Sequence, residues 1–197
     1  MQALYQFLRP FAFLRIRGAT LGFYRIYGPV LFAALATAIV FLLPLEIKIT
    51  QDKSLADYMA SLFSTLPGFF IAALAAVVAF SGGDLDKVMP DVKLSITANG
   101  DTSPVEITLR VFLSYLFSYL TIVSFIGFFV CVSGTLVALN AAKLVSLIES
   151  PELREIIGTS LKLGFVYSVL FLVASVLFCT MLGLYFLAER VHQSLLE

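Results

Sequence analysis

Charge is what this sequence lacks in its longest stretches. Four apolar runs lie between Ile26 and Ala188, and none contains Asp, Glu, Lys, Arg or His. An ionisable residue inside a bilayer is costly and marks a proton relay, an ion pathway or a voltage sensor, so these runs offer no carrier for any of those roles. Histidine is nearly absent: His192 is the single copy, and its place near the C-terminus reads as a solvated side chain. Cysteine occurs twice, as Cys131 and Cys179, with no CxxC pair and no His/Cys cluster. Redox exchange and structural zinc are therefore unsupported, and the two thiols read as small hydrophobes. No lysine or histidine within the runs could activate a Ser or Cys, which argues against an intramembrane protease. An excess of either sign is missing too, since thirteen basic residues balance thirteen acidic ones. That balance gives no electrostatic footprint for direct nucleic-acid binding.

What is present is apolar length. The 197 residues are 60% hydrophobic and only 13% charged, outside the range of an ordinary soluble domain. The fold class expected is an all-α membrane protein of one domain, with four transmembrane helices over about 27–45, 58–80, 111–139 and 163–188. Gly28-Pro29 opens the first span and Pro44 closes it, because proline is tolerated in a helix's first turn but cannot continue its interior. Pro67-Gly68 falls inside the second span as a kink site. The third run, Val111 to Ala142, is longer than roughly 30 Å of hydrocarbon requires, so its helix must tilt, bend or project.

The connections carry the remaining signals. Residues 1–25 place Leu4, Phe7, Leu8, Phe11 and Leu14 at helical spacing among arginines. They read as a retained interfacial amphipathic helix, as an anchor packed on the bundle, or as a partner-binding segment. In the 81–110 loop, Val92–Thr97 and Val105–Leu109 alternate around Asn99-Gly100, the signature of a short β-hairpin, here with more than the tightest loop. Asp84, Asp86 and Asp91 in that loop could gather carboxylates, although a solvated acidic loop is the simpler reading. Ser150-Pro151-Glu152 reads as a helix start. Beyond it, Leu153, Ile156 and Ile157 either lie on the membrane or extend the last helix.

Two sets of residues are singled out. The candidate partner contacts are Arg9, Arg15, Arg17, Asp84, Asp86, Lys87, Lys93, Asn99 and Asp101. The candidate helix-packing positions are Gly68, Ala72 and Ala76 on the second span, and Gly164, Ser168, Ser175 and Gly183 on the fourth, where small residues at four-residue spacing allow close approach. Ser114, Ser118, Tyr119, Thr121 and Ser124 give the third span a polar side, readable as inter-helix glue or as a pore lining. Eight of the thirteen basic residues fall on the side of the hairpin and both termini, which the positive-inside rule assigns to the cytoplasm.

The segment LPGFFIAALAAVVAFSGGDLDKVMP, from Leu66 to Pro90, followed by RVFLSYLFSYL from Arg110, resembles the membrane subunits of the Kiwa anti-phage defence system. The resemblance implies a homo-oligomeric inner-membrane sensor that responds to infection and holds a cytosolic partner able to act on phage DNA. It transfers no site residue. The resulting expectation is a non-enzymatic sensor and scaffold that needs no cofactor or metal and touches the lipid bilayer, its own copies and a cytosolic protein. A membrane-permeabilising pore and an assembly factor for another membrane complex are the alternatives.

Overall fold

A computed structural model describes residues 9–18, 20–43, 54–80, 83, 85–98, 101–147 and 150–193. Four of its helical stretches are long and apolar enough to cross a membrane: Phe23–Leu42, Leu55–Ala79, Leu109–Ala138 and Pro151–Ala188. The chain is an all-α multi-pass membrane protein with a small antiparallel sheet.

The first span begins with a π-helical turn, Phe23–Tyr27, that runs into helix α1, Gly28–Leu42, with Pro29 in its first turn. It stops three residues before the expected end. Leu43 is already extended, at φ −80° and ψ 140°, because the residue before a proline is driven out of the helical region. Helix α2, Leu55–Ala79, starts three residues earlier than expected on a capping box. Ser54 Oγ accepts from Asp57 N at 3.3 Å while Ser54 N donates to Asp57 Oδ2 at 3.1 Å, so two otherwise orphaned donors are satisfied. The helix runs unbroken through Pro67.

The hairpin is present and larger than its alternation suggested. Strand β2, Val88–Ala98, pairs antiparallel with β3, Asp101–Thr108, in the register Lys93↔Glu106, Leu94↔Val105 and Ala98↔Asp101. That register leaves only Asn99 and Gly100 between the strands, so the expectation of a longer loop is corrected; these two residues lie outside the described ones. The alternation was masked at both ends, by the register shift between Val88 and Lys93 and by the polar run from Asp101 to Ser103.

The N-terminal segment also differs from one continuous amphipathic helix. Its described part is a 3₁₀ helix over Arg9–Arg15 followed by a two-residue strand, β1, Ile16–Arg17. β1 adds to the hairpin as a third strand, pairing Ile16 with Leu94 and Arg17 with Lys93. Phe13 and Ile16 are each 1% exposed, and the Phe13 ring lies 5.1 Å from that of Tyr119 and 6.0 Å from that of Phe112. Burying such a side chain is worth about 1.5–3 kcal/mol, against about 0–1 kcal/mol for a surface ion pair. Apolar packing, rather than its arginines, therefore fixes this segment on the bundle.

Helices α3, Leu109–Ser146, and α4, Pro151–Gln193, have 38 and 43 residues. At about 1.5 Å per residue they approach 57 and 65 Å, far more than hydrocarbon demands. Leu153, Ile156 and Ile157 extend α4, and the start of α4 lies along the end of α3, where a Cβ on Gly158 would lie 4.0 Å from Val145 Cγ1. The principal packing contacts run α1 on α4, α4 on α3 and α3 on α2, a row in which α3 and α4 are central. Its core includes Phe112, Leu113, Leu116 and Leu120 of α3, with Phe63 of α2 and Leu182 of α4.

The small-residue ladders divide between the inside and the outside of this row. Ser175 and Gly183 are buried, and a Cβ on Gly183 would lie 2.9 Å from Leu116 Cδ2. Gly68, Ala72, Ala76, Gly164 and Ser168 are exposed, and nothing lies within 4 Å of a Cβ built on Gly68 or Gly164. None of these five is buried among the described residues, and α2 turns Phe63, Pro67, Phe70 and Val77 inward instead of its small-residue face. The close approaches that sequence reading missed are Gly28 against Phe178, Gly127 against Phe63 and Gly134 against Phe165. In each, a phenylalanine ring occupies the space that a Cβ would need, a pairing invisible to a search for small residues at fixed spacing.

Candidate functional site

The sheet is tied to the ends of the spans by two arginines at the edges of charge-free runs. Arg110, in the first turn of α3, donates from Nε to Asp86 Oδ1 at 2.8 Å and from Nη2 to Asp86 Oδ2 at 3.1 Å. Its Nη1 donates to Val77 O at 2.7 Å. Val77 lies in the last turn of α2, where carbonyls have no helical partner and a cation is favoured. The backbone repeats the junction: Arg110 N donates to Leu85 O at 2.8 Å and Leu109 N to Lys87 O at 3.3 Å. One guanidinium thus joins the end of α2, the loop and the start of α3. The bidentate bond from Arg110 holds the Asp86 carboxyl below its ordinary value of 3.8.

Arg25 does the equivalent at the first span. It sits in the π-helical turn, and its Nη1 donates to Leu14 O at 2.6 Å and to Ile16 O at 3.1 Å. The carbonyls of the N-terminal segment are thereby drawn to the start of α1. Its Nε is buried without a partner among the described residues. Sequence reading gave neither Arg25 nor Arg110 a structural role of its own. A lone arginine at the edge of a charge-free run was the available signal, since its long stem can lie along apolar surface while the head seeks polar atoms.

The outward face of the sheet is charged. Register sets Arg17, Lys93 and Glu106 side by side across β1, β2 and β3, and all three are exposed. Val92, Leu94 and Ile107 are buried on the opposite face. Alternation along each strand accounts for the split, because successive side chains point to opposite faces. Of the other candidate contacts, Arg9 and Arg15 are exposed in the 3₁₀ segment, and Asp86 and Lys87 are exposed beside β2. Asp101 opens β3. Asp84 and Asn99 lie outside the described residues. The structure therefore brings Arg17 and Lys93 together, and commits Asp86 to Arg110 rather than to an open acidic cluster.

On the polar side of α3, Ser114, Thr121 and Ser124 donate to the carbonyls of Arg110, Phe117 and Leu120, each at 2.8 Å. These hydroxyl protons are used within their own helix. Cys131 and Cys179 are buried free thiols. No protein-family model, curated protein or solved structure matches this chain.

Proposed function

We propose that this protein is a non-enzymatic sensor and scaffold of a bacterial inner membrane, part of an anti-phage defence system, acting as a homo-oligomer with both termini in the cytoplasm. In this reading it registers infection through its spans and holds a cytosolic, DNA-acting partner on the sheet. The observation that carries the proposal is a pair of ties around the sheet: Arg25 holds β1 at the start of the first span, and Arg110 holds the loop that leads into β2 at the end of α2 and the start of α3, with an Arg17–Lys93–Glu106 row exposed across the strands. A shift in helix tilt or association would reach that surface without a flexible linker. The likeness of Leu66–Pro90 and Arg110–Leu120 to Kiwa membrane subunits supports the choice of system. The excess of basic residues on the sheet side supports the orientation.

The test is co-purification from cells. Charge reversal of the basic pair, R17E with K93E, is expected to release the cytosolic protein recovered with the wild-type chain while membrane insertion and oligomer size stay unchanged. Undiminished recovery would overturn the sheet as the contact. The pore alternative receives less support, because three of the hydroxyls that would line it, Ser114, Thr121 and Ser124, donate to their own helix. Purified oligomers are accordingly expected to be silent in planar bilayers.

A further inference from the structure

On the side away from the sheet, α3 and α4 enclose a groove of about 490 Å³, within the range of a small-molecule or lipid site. Its walls are small: Gly134, Ala138 and Ala141 from α3 face α4, with Phe165 at the inner end. A Cβ on Gly134 would meet the Phe165 ring, so the helices touch there, and the space opens outward from that contact. The outer part carries Lys162 and Arg154, and no carboxylate is among the described lining residues. Glu152 and Glu155, on the same first turns of α4, are exposed and do not line it.

The distribution of charge along the two walls defines the occupant. Lys162 is the last charge on α4 before the charge-free run that starts at Leu163, and the facing wall of α3 stays charge-free as far as Ala142. The groove is therefore apolar at the depth of Phe165 and cationic about one turn further out, the polarity of an anionic amphiphile lying across a membrane boundary. Lys162 forms no hydrogen bond or ion pair among the described residues, whereas Arg154 Nη2 donates to Ser146 O at 3.0 Å. Arg154 thus braces the outer end of the helical pair, and Lys162 supplies the charge. We infer that this groove binds an anionic phospholipid of the leaflet opposite the sheet, with its phosphate at the Lys162 ammonium and an acyl chain against Gly134, Ala138 and Phe165. Basic pockets between spans are a recurrent way of holding such headgroups.

Native mass spectrometry of the detergent-released full chain tests this, after equilibration with equimolar phosphatidylglycerol and phosphatidylcholine of identical acyl chains. The wild type is expected to retain phosphatidylglycerol about tenfold more than phosphatidylcholine, a tenfold difference in Kd. K162E should abolish the preference and K162R should keep it. A141L, which fills the groove, should lose both lipids with an unchanged circular dichroism spectrum, and if it fails to fold, the K162E and K162R pair decides alone. Added inorganic phosphate should not displace the lipid. Equal retention of the two lipids, wild-type preference in K162E, or displacement by phosphate would overturn the site. So would an A141L chain that changes oligomer size while the two lipids bind equally, since the groove would then seat a helix of a second copy.

Discussion

Arg110 illustrates how much one side chain does at a membrane boundary, because its guanidinium meets three structural pieces at once. The Asp86 bond is the exposed part, with that carboxylate side chain 59% accessible and Arg110 at 22%, so solvent screens it strongly. The bond to Val77 O is the part that water cannot easily replace. R110A should therefore lower the unfolding temperature in detergent more than D86N does, and the double variant should fall no further than R110A, because both remove one shared interaction. The pH dependence follows from the sign of the shift. Asp86 titrates below 3.8 in the folded chain, so its contribution is fully present above about pH 3.8 and is lost as pH falls through the lowered value. Acid-induced loosening in that window should be present in the wild type and absent from D86N, as read by proteolysis at the sheet. Gly127 poses a packing question at the same scale. A Cβ there would lie 2.6 Å from Phe63 Cε1, so G127A forces the ring to move and should cost about 1–3 kcal/mol. F63L in the G127A background should recover part of that loss in an unfolding titration.

At the scale of elements, the start of α2 rests on chemistry that hydropathy does not register. The Ser54 and Asp57 capping box begins the helix on polar residues before the apolar run is established. S54A is expected to destabilise the chain by about 1 kcal/mol and to raise hydrogen exchange in the first turn of α2 while α3 and α4 stay protected. The spans were legible because length and absence of charge are sufficient evidence for a membrane helix. The hairpin was legible from alternation around Asn99-Gly100. The third strand was not, because Ile16–Arg17 has two residues, too few to alternate detectably, and depends on a partner more than seventy residues away. Likewise, Arg17 and Lys93 were each recognisable as surface charges, but their adjacency exists only in the register. The small-residue ladders separate spacing from orientation. Spacing identified Gly68, Ala72 and Ala76 as one face, yet which face of α2 turns inward was decided by the aromatic residues Phe63 and Phe70 and the phenylalanine-rich wall they meet.

At the scale of the whole molecule, two ends of different construction sit on opposite sides of the bilayer. The sheet, the start of α3 and the end of α2 share one side, through the bonds of Arg110. The far ends of α3 and α4 extend the other side as a helical pair joined near Ser150. A membrane about 30 Å thick accommodates roughly 20 residues of each, so helices of 38 and 43 residues must emerge from it. The native thiols make this testable without first removing them, since Cys131 and Cys179 are buried and should react little. Ser95 is partly exposed on β2, and Thr159 is exposed on the extension of α4. With the sheet in the cytoplasm, a membrane-impermeant maleimide should label T159C in intact cells and leave S95C unlabelled until the cells are opened. The reverse pattern would place the Arg17–Lys93–Glu106 row outside, where no cytosolic partner could reach it, and would remove the topological basis of the scaffold proposal. Labelling of both from one side would be more damaging still, because it would contradict an odd number of crossings between Ser95 and Thr159, which the single charge-free run of α3 requires.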